Sequence, residues 1–304
     1  MATAYSPLRY PGGKQILGHV LTHIIRLNHC QGGIYVEPYC GGSGAALGLL
    51  FCEHVDRLML NDADPCVYAF WHTILHDTDS FLRLLRDTPL SVEEWLRQRD
   101  IYRHADTQAP LTLGFATFYL NRCNRSGIIA RAGLIGGLEQ HGKWKLDARF
   151  NRADLAERIE RIATYCDRIA LSNLDAITFL RDHVSVVPTI DRAFVYLDPP
   201  YYAKGSQLYL NHYKPDDHAA LATFMKCEAK FQWVMTYDNA PEVCRLYSRF
   251  RQVPFNLAYS ARESRVGREV MILKPYLKFP QQWRLKIPDR FISAADGILM
   301  QMAG

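Results

Sequence analysis

The stretch from Ile34 to Asp62 constrains the fold of this chain more than any other. Ile34–Val36 is a short apolar run stopped by Glu37-Pro38. A glycine cluster follows (Gly41-Gly42-Ser43-Gly44), then a helix-favouring segment, Ala45–Phe51. Leu58–Leu60 is a second apolar run, ending at Asn61-Asp62. Strand, glycine turn, helix, strand and terminal acid read as the first half of a doubly wound α/β nucleotide-binding sheet.

The alternation then pauses for roughly a hundred residues, far longer than an ordinary connection. Helical periodicity dominates Val67–His76, Phe81–Arg86, Val92–Arg103 and Leu111–Arg122, whereas Asn124–Asn151 is rich in Gly, Arg, Lys and Asn and predicts loop or hairpin. The α/β rhythm resumes with a helix at Ala153–Thr164 and strands at Arg168–Ser172, Phe194–Leu197, Phe231–Thr236 and Val270–Leu273. A further helix is predicted over Asp216–Cys227, capped by Asp216 or Asp217, and an amphipathic one over Lys14–Asn28. The predicted architecture is a mostly parallel, doubly wound Rossmann-like sheet with a mainly helical insertion. Residues 1–65 and 153–280 would form the sheet domain, 66–152 the insertion and 281–304 a C-terminal tail.

Asp198-Pro199-Pro200-Tyr201 directly follows a strand pattern. Each proline forces the preceding residue out of the helical region, so the chain leaves the strand stiff and extended. A carboxylate and backbone carbonyls, all acceptors, then meet at the strand's carboxyl end, where α/β sheets bind ligands. That set suits an exocyclic amine with two hydrogens, with Tyr201 able to stack on a flat ring. A rigid strand exit without chemistry is the plainer reading of the same residues. The glycine cluster fits neither G-x-G-x-x-G nor a G-K-[ST] phosphate loop, and Asp62 lies where an acid takes a ribose hydroxyl. An adenosine-type ligand without a pyrophosphate fits these features.

The 304 residues carry 36 Lys+Arg against 31 Asp+Glu, a balance too small to identify a partner. Its distribution is uneven: from Arg97 to Arg152 ten basic residues face four acidic ones. Eight scattered cysteines without C-x-x-C, and no charged-then-apolar leader over Ala2–Tyr10, predict a reducing cytoplasm and no disulfide framework. No uncharged apolar run reaches the ~18 residues a membrane span needs. His72 and His76 lack a third ligand, so no metal site is predicted. Trp71 and Trp95 read as core residues.

Arg9-Tyr10-Pro11-Gly12-Gly13-Lys14, the turn Glu37-Pro38-Tyr39-Cys40-Gly41-Gly42-Ser43-Gly44, Tyr119-Leu120-Asn121-Arg122 with Arg125-Ser126-Gly127, and Asp198-Pro199-Pro200-Tyr201 occur in that order. With these motifs the chain resembles the Dam-like, alpha-group DNA adenine-N6 methyltransferases, from about Ser6 to Pro275. The resemblance implies S-adenosylmethionine as cofactor, S-adenosylhomocysteine as product and double-stranded DNA as substrate, with no metal and no obligate protein partner. It implies that Tyr10 and Lys14 lie beside the cofactor, and that Glu37, Pro38, Tyr39, Gly41, Gly42 and Gly44 cradle its methionine part. Asp62 would take the ribose, Asp175 would lie near the cofactor's adenine, and Asp198 would border both cofactor and target. Asp198, Pro199, Pro200 and Tyr201 would receive the target base, flipped from the duplex.

In the insertion, the resemblance and the basic character together make Asn121, Arg122, Asn124, Arg125, Arg131, Lys143, Lys145 and Arg149 the candidate DNA contacts. Cys123-Asn124-Arg125 departs from the best-known members, so the target sequence is not implied. Tyr10-Pro11 replaces the Trp-Ala pair of many relatives. Cytosine N4, a similar amine, and a catalytically silent DNA-binding relative are the competing readings. Such enzymes, bacterial or phage-encoded, serve restriction–modification, phage defence or replication marking.

Overall fold

A computed structural model describes residues 5–9, 17–130, 132–202, 213–259 and 265–281. The elements in chain order are α1 (Gly18–Leu27), β1 (Ile34–Glu37), α2 (Gly44–Phe51), β2 (Arg57–Asn61), α3 (Pro65–His76), α4 (Thr78–Asp87), α5 (Val92–Arg103) and α6 (Pro110–Cys123). After a long loop come α7 (Arg152–Ala163), β3 (Ile169–Ser172), α8 (Ala176–Phe179), β4 (Ala193–Leu197), α9 (Pro215–Cys227), β5 (Gln232–Asp238), α10 (Pro241–Leu246), β6 (Arg251–Tyr259) and β7 (Arg265–Leu273).

The seven strands form one sheet in the order β3-β2-β1-β4-β5-β7-β6. The first five are parallel; β7 runs antiparallel to β5, and β6 antiparallel to β7. Strand order reverses between β1 and β4, so their carboxyl ends open a crevice at the switch point. Every residue of β4 is buried, the continuous apolar pattern of a strand covered on both faces. The α/β, mostly parallel sheet matches the sequence expectation.

The strand β6 departs from the sequence expectation. Its alternating sequence, RQVPFNLAY, sits at the sheet edge, where Pro254 costs no central ladder bond. The cap of α9 also differs from expectation. The helix begins at Pro215 after Lys214, and Asp217 accepts from the Lys214 amide at 2.7 Å, as a third-position residue rather than the cap. The start of the helix expected from Lys14 lies outside the described residues.

The helical block shares its core with one face of the sheet. Phe70, Trp71, Phe81, Phe115, Phe118 and Phe150 belong to the same buried cluster as Leu47, Leu60 and Phe194. The helices α3 and α6 approach closely because Gly114 has no side chain: a Cβ there would lie 2.5 Å from the Ala69 carbonyl oxygen. The opposite face is covered by α9 and α10, with Phe224, Trp233, Tyr237 and Tyr247 at its centre. Between α6 and α7 the chain makes turns rather than a regular hairpin, with a single bridge, Asn124 to Leu134, among the described residues.

Candidate active site

β1 ends in Glu37, which is buried and accepts from the Tyr35 hydroxyl at 3.1 Å. Burial pushes this carboxyl up to about 8, and the Asp198 carboxylate on the neighbouring strand adds to the effect. The following turn needs left-handed backbone at Gly41 (φ 46°) and Ser43 (φ 45°) before α2 begins at Gly44. Two side chains fix it. The Asp62 carboxylate accepts from the Gly41 amide at 2.9 Å, and the Trp71 indole of α3 donates to the Gly41 carbonyl at 2.8 Å.

Asp62 also accepts from the Asp64 amide at 3.0 Å, and burial together with the Asp64 charge pushes it up to about 7. Behind it, wholly buried Asn61 donates to the Pro38 and Leu174 carbonyls and accepts from the Leu174 amide, each at 3.0 Å. This one amide locks together the chain exits of β1, β2 and β3. Asp175, exposed after β3, caps α8 through the Ile177 and Thr178 amides at 2.9 and 3.1 Å.

Asp198 follows β4 directly. The β4–β5 register pairs Leu197 with Met235, so the next pair, Asp198 and Thr236, lies side by side on the same face as Tyr196. The Thr236 hydroxyl donates to Asp198 Oδ1 at 2.8 Å, and its oxygen lies 2.7 Å from the Tyr196 hydroxyl. Pro199 is buried and Pro200 half-buried. The loop continues to Tyr201, whose hydroxyl donates to buried Glu269 of β7 at 2.6 Å. The Tyr202 amide donates to Asp238 at 2.9 Å, and its ring packs on His218 of α9 with centroids 4.8 Å apart. Tyr39, from the glycine turn, meets Tyr213 hydroxyl to hydroxyl at 2.7 Å. Glu37, Pro38, Tyr39, the glycines, Asp62 and Asp198-Tyr201 are thus brought to one end of the sheet. Tyr10 and Lys14 lie outside the described residues.

The candidate DNA residues divide. Asn121 is fully buried: it accepts from the Arg9 amide at 2.7 Å and donates to the Arg9 and Gly127 carbonyls at 2.8 Å each. Arg122, buried beside Arg9, donates to the Arg149 and Pro7 carbonyls at 2.7 and 3.3 Å, and burial lowers its basicity. Asn124 accepts from the Trp95 indole at 2.7 Å and donates to the Ile128 and Ile129 carbonyls at 2.9 and 3.0 Å. The side chains of these three face the interior rather than solvent. They clamp the segment at Arg9 against the loop after α6.

Arg125, Lys143, Lys145 and Arg149 are exposed. Lys145 is also tied to the Gln140 carbonyl. Arg131 lies outside the described residues. Between the two lysines Trp144 is 64% exposed, with the Lys143 ammonium 5.8 Å from its ring centroid. Gln140 braces this loop by donating to the Ile135 and Gly137 carbonyls and accepting from the Leu146 amide. Sequence reasoning missed Asn61, Thr236, Glu269 and Trp144; the first two at least stand out as polar residues closing apolar runs.

Residues 10–260 match the family described as D12 class N6 adenine-specific DNA methyltransferase. The chain belongs to that family. It is therefore a DNA adenine-N6 methyltransferase, and the cytosine-N4 reading is set aside. Among solved structures, the chain is similar to a class I S-adenosylmethionine-dependent methyltransferase from Listeria monocytogenes. The identity is 10% and the TM-score 0.37, over 94% of this chain and 68% of that one. Family membership implies S-adenosylmethionine as methyl donor and DNA as substrate. Among the described residues of this methyltransferase, no group of three or more His, Cys, Asp or Glu is arranged to hold a metal ion, and no helix is long and apolar enough to cross a membrane.

Proposed function

We propose that the enzyme acts on an adenine turned out of double-stranded DNA, with Asp198, the Pro199 carbonyl and Tyr201 receiving the base. The observation that carries this reading is the setting of Asp198: a carboxylate on a proline-stiffened exit from β4, oriented by Thr236 at 2.8 Å. The amine N6 is a poor nucleophile because its lone pair is delocalised into the ring. By accepting both N–H hydrogens, Asp198 and the Pro199 carbonyl favour a more tetrahedral nitrogen with its lone pair directed outward. Tyr201 stacks on the base, and Glu269 fixes the tilt of its ring. Positioning and electrostatics supply the rate, with no side-chain nucleophile. Extrusion of the base follows from chemistry at an atom hidden inside the duplex.

The residues at the crevice fit S-adenosylmethionine. A buried carboxyl at Glu37 suits the amino acid's ammonium, Asp62 a ribose hydroxyl, and the left-handed turn at Gly41–Gly44 lets backbone approach closely, with Pro38, Tyr39 and Gly42 in the same cradle. Asp175 would lie at the adenine side. When bound, the cofactor supplies an electrophilic methyl group on a sulfonium. Residues 66–152 would recognise the target, and exposed Arg125, Lys143, Arg149 and Trp144 would meet phosphates and bases.

Expression in a methylation-free host, followed by direct sequencing for modified bases, tests the reading. N6-methyladenine at a defined sequence is expected, and none from Asp198→Ala that still binds S-adenosylmethionine. Methylation by Asp198→Ala would sink the proposed role of this carboxylate.

A further inference from the structure

We propose that Thr236 and Tyr196 are positioning residues that act in series on Asp198, a role that rests on the reading of Asp198 as acceptor for the target amine. A hydroxyl has one hydrogen. Thr236 directs its hydrogen to Asp198 Oδ1 at 2.8 Å, so across the 2.7 Å separation the donor must be Tyr196. The bonds therefore run one way, from Tyr196 to Thr236 to Asp198. Thr236 is fully buried and Tyr196 nearly so, which keeps water from substituting for either.

The sheet dictates this order. Tyr196 and Asp198 are two residues apart on β4 and its exit and point to the same face, while the parallel register sets Thr236 of β5 beside Asp198. Asp198 lies one residue beyond the last ladder pair of β4 and β5. Thr236 supplies a fixed donor from the neighbouring strand, and Tyr196 fixes the Thr236 rotamer in turn. Because a donated bond favours the ionised carboxylate, the pair keeps Asp198 an acceptor as well as holding its plane.

The role predicts a kinetic pattern that simple packing does not. Thr236→Val keeps shape and removes this one donor; kcat should fall about ten- to a hundred-fold, the range for a lost hydrogen bond to a charged group, with KM for DNA and S-adenosylmethionine binding nearly unchanged. The acid limb of the kcat–pH profile, set by Asp198 among Glu37 and Tyr35 of β1, Tyr196 of β4 and Tyr237 of β5, should move to higher pH. Thr236→Ser should restore both. Tyr196→Phe should give a smaller loss, and the double variant should be no worse than Thr236→Val, since Tyr196 acts only through Thr236.

Wild-type kcat and an unmoved acid limb in Thr236→Val, alongside an inactive Asp198→Ala, would overturn the relay while leaving the role of Asp198 standing. Activity in Asp198→Ala would overturn both. Should Thr236→Val fail to fold, Tyr196→Phe and Thr236→Ser still decide: an unshifted limb in Tyr196→Phe, or a Thr236→Ser enzyme as slow as a donor-less one, refutes the series.

Discussion

The Tyr201 hydroxyl lies 2.6 Å from Glu269 Oε1, tying the loop after β4 to the antiparallel strand β7. Glu269 is paired in the sheet with Asp238, which holds the Tyr202 amide, so two adjacent acids grip two consecutive loop residues. Tyr201→Phe keeps the ring and loses the grip. It should cost about 1–3 kcal/mol of unfolding free energy and lower kcat less than Tyr201→Ala does. Denaturant unfolding and single-turnover methylation measure the two effects.

Glu37 makes stability depend on pH. Its ordinary value of 4.5 is raised to about 8 in the fold. A carboxyl raised on folding stabilises fully below its unfolded value, and that contribution is lost as pH rises through the folded one. Without cofactor, unfolding free energy should therefore fall between about pH 4.5 and 8 on this account, and Glu37→Gln should flatten the slope. Urea titrations across that window check it; an unchanged slope in the variant would refute the assignment.

Asn61 is expected to matter to both stability and cofactor binding. Its amide makes three bonds that hold the exits of β1 and β3 together. Asn61→Ala leaves the buried Pro38 carbonyl and the half-buried Leu174 backbone groups to find other partners, at about 1–3 kcal/mol for each buried group left unsatisfied. Calorimetric titration with S-adenosylmethionine should show weakened affinity, and thermal unfolding a lower midpoint.

The exposed and buried members of the basic insertion should separate experimentally. Charge reversal at Lys143 or Arg149 should weaken DNA binding and reduce the slope of log K against log salt by about 0.9 for each phosphate no longer neutralised. Trp144→Ala should weaken binding with that slope unchanged. Arg122→Ala and Asn124→Ala should instead lower the unfolding midpoint. Fluorescence anisotropy at several salt concentrations, paired with thermal unfolding, distinguishes the groups.

What is legible in the sequence is local. Gly41–Gly44 and Asp198-Pro199-Pro200 announce their backbone geometry through residues that restrict or free φ, and the central strands through continuous apolar runs. Asn121, Arg122 and Asn124 read as DNA-facing because they fall in a recognition-like motif within a basic segment. Their partners, Arg9, Pro7 and Trp95, are 29 to 115 residues away in sequence, beyond any local pattern. Thr236 and Glu269 are hidden likewise, since their importance comes from strand register. The edge strand β6 escapes a local reading because Pro254 interrupts its alternation, and a proline within a run argues against a strand.

The close approach of Gly114 to Ala69 has a consequence for anyone exchanging the helical insertion between family members. The helix α3 that carries Ala69 also carries Trp71, whose indole holds the Gly41 carbonyl of the glycine turn after β1. A cassette cut at residue 66 would carry Trp71 away from its host and bring in a foreign helix in its place. A workable chimera should retain α3 and α6 together with the recipient sheet, and graft only the turns between Asn124 and Asn151, where the exposed cations and Trp144 reside.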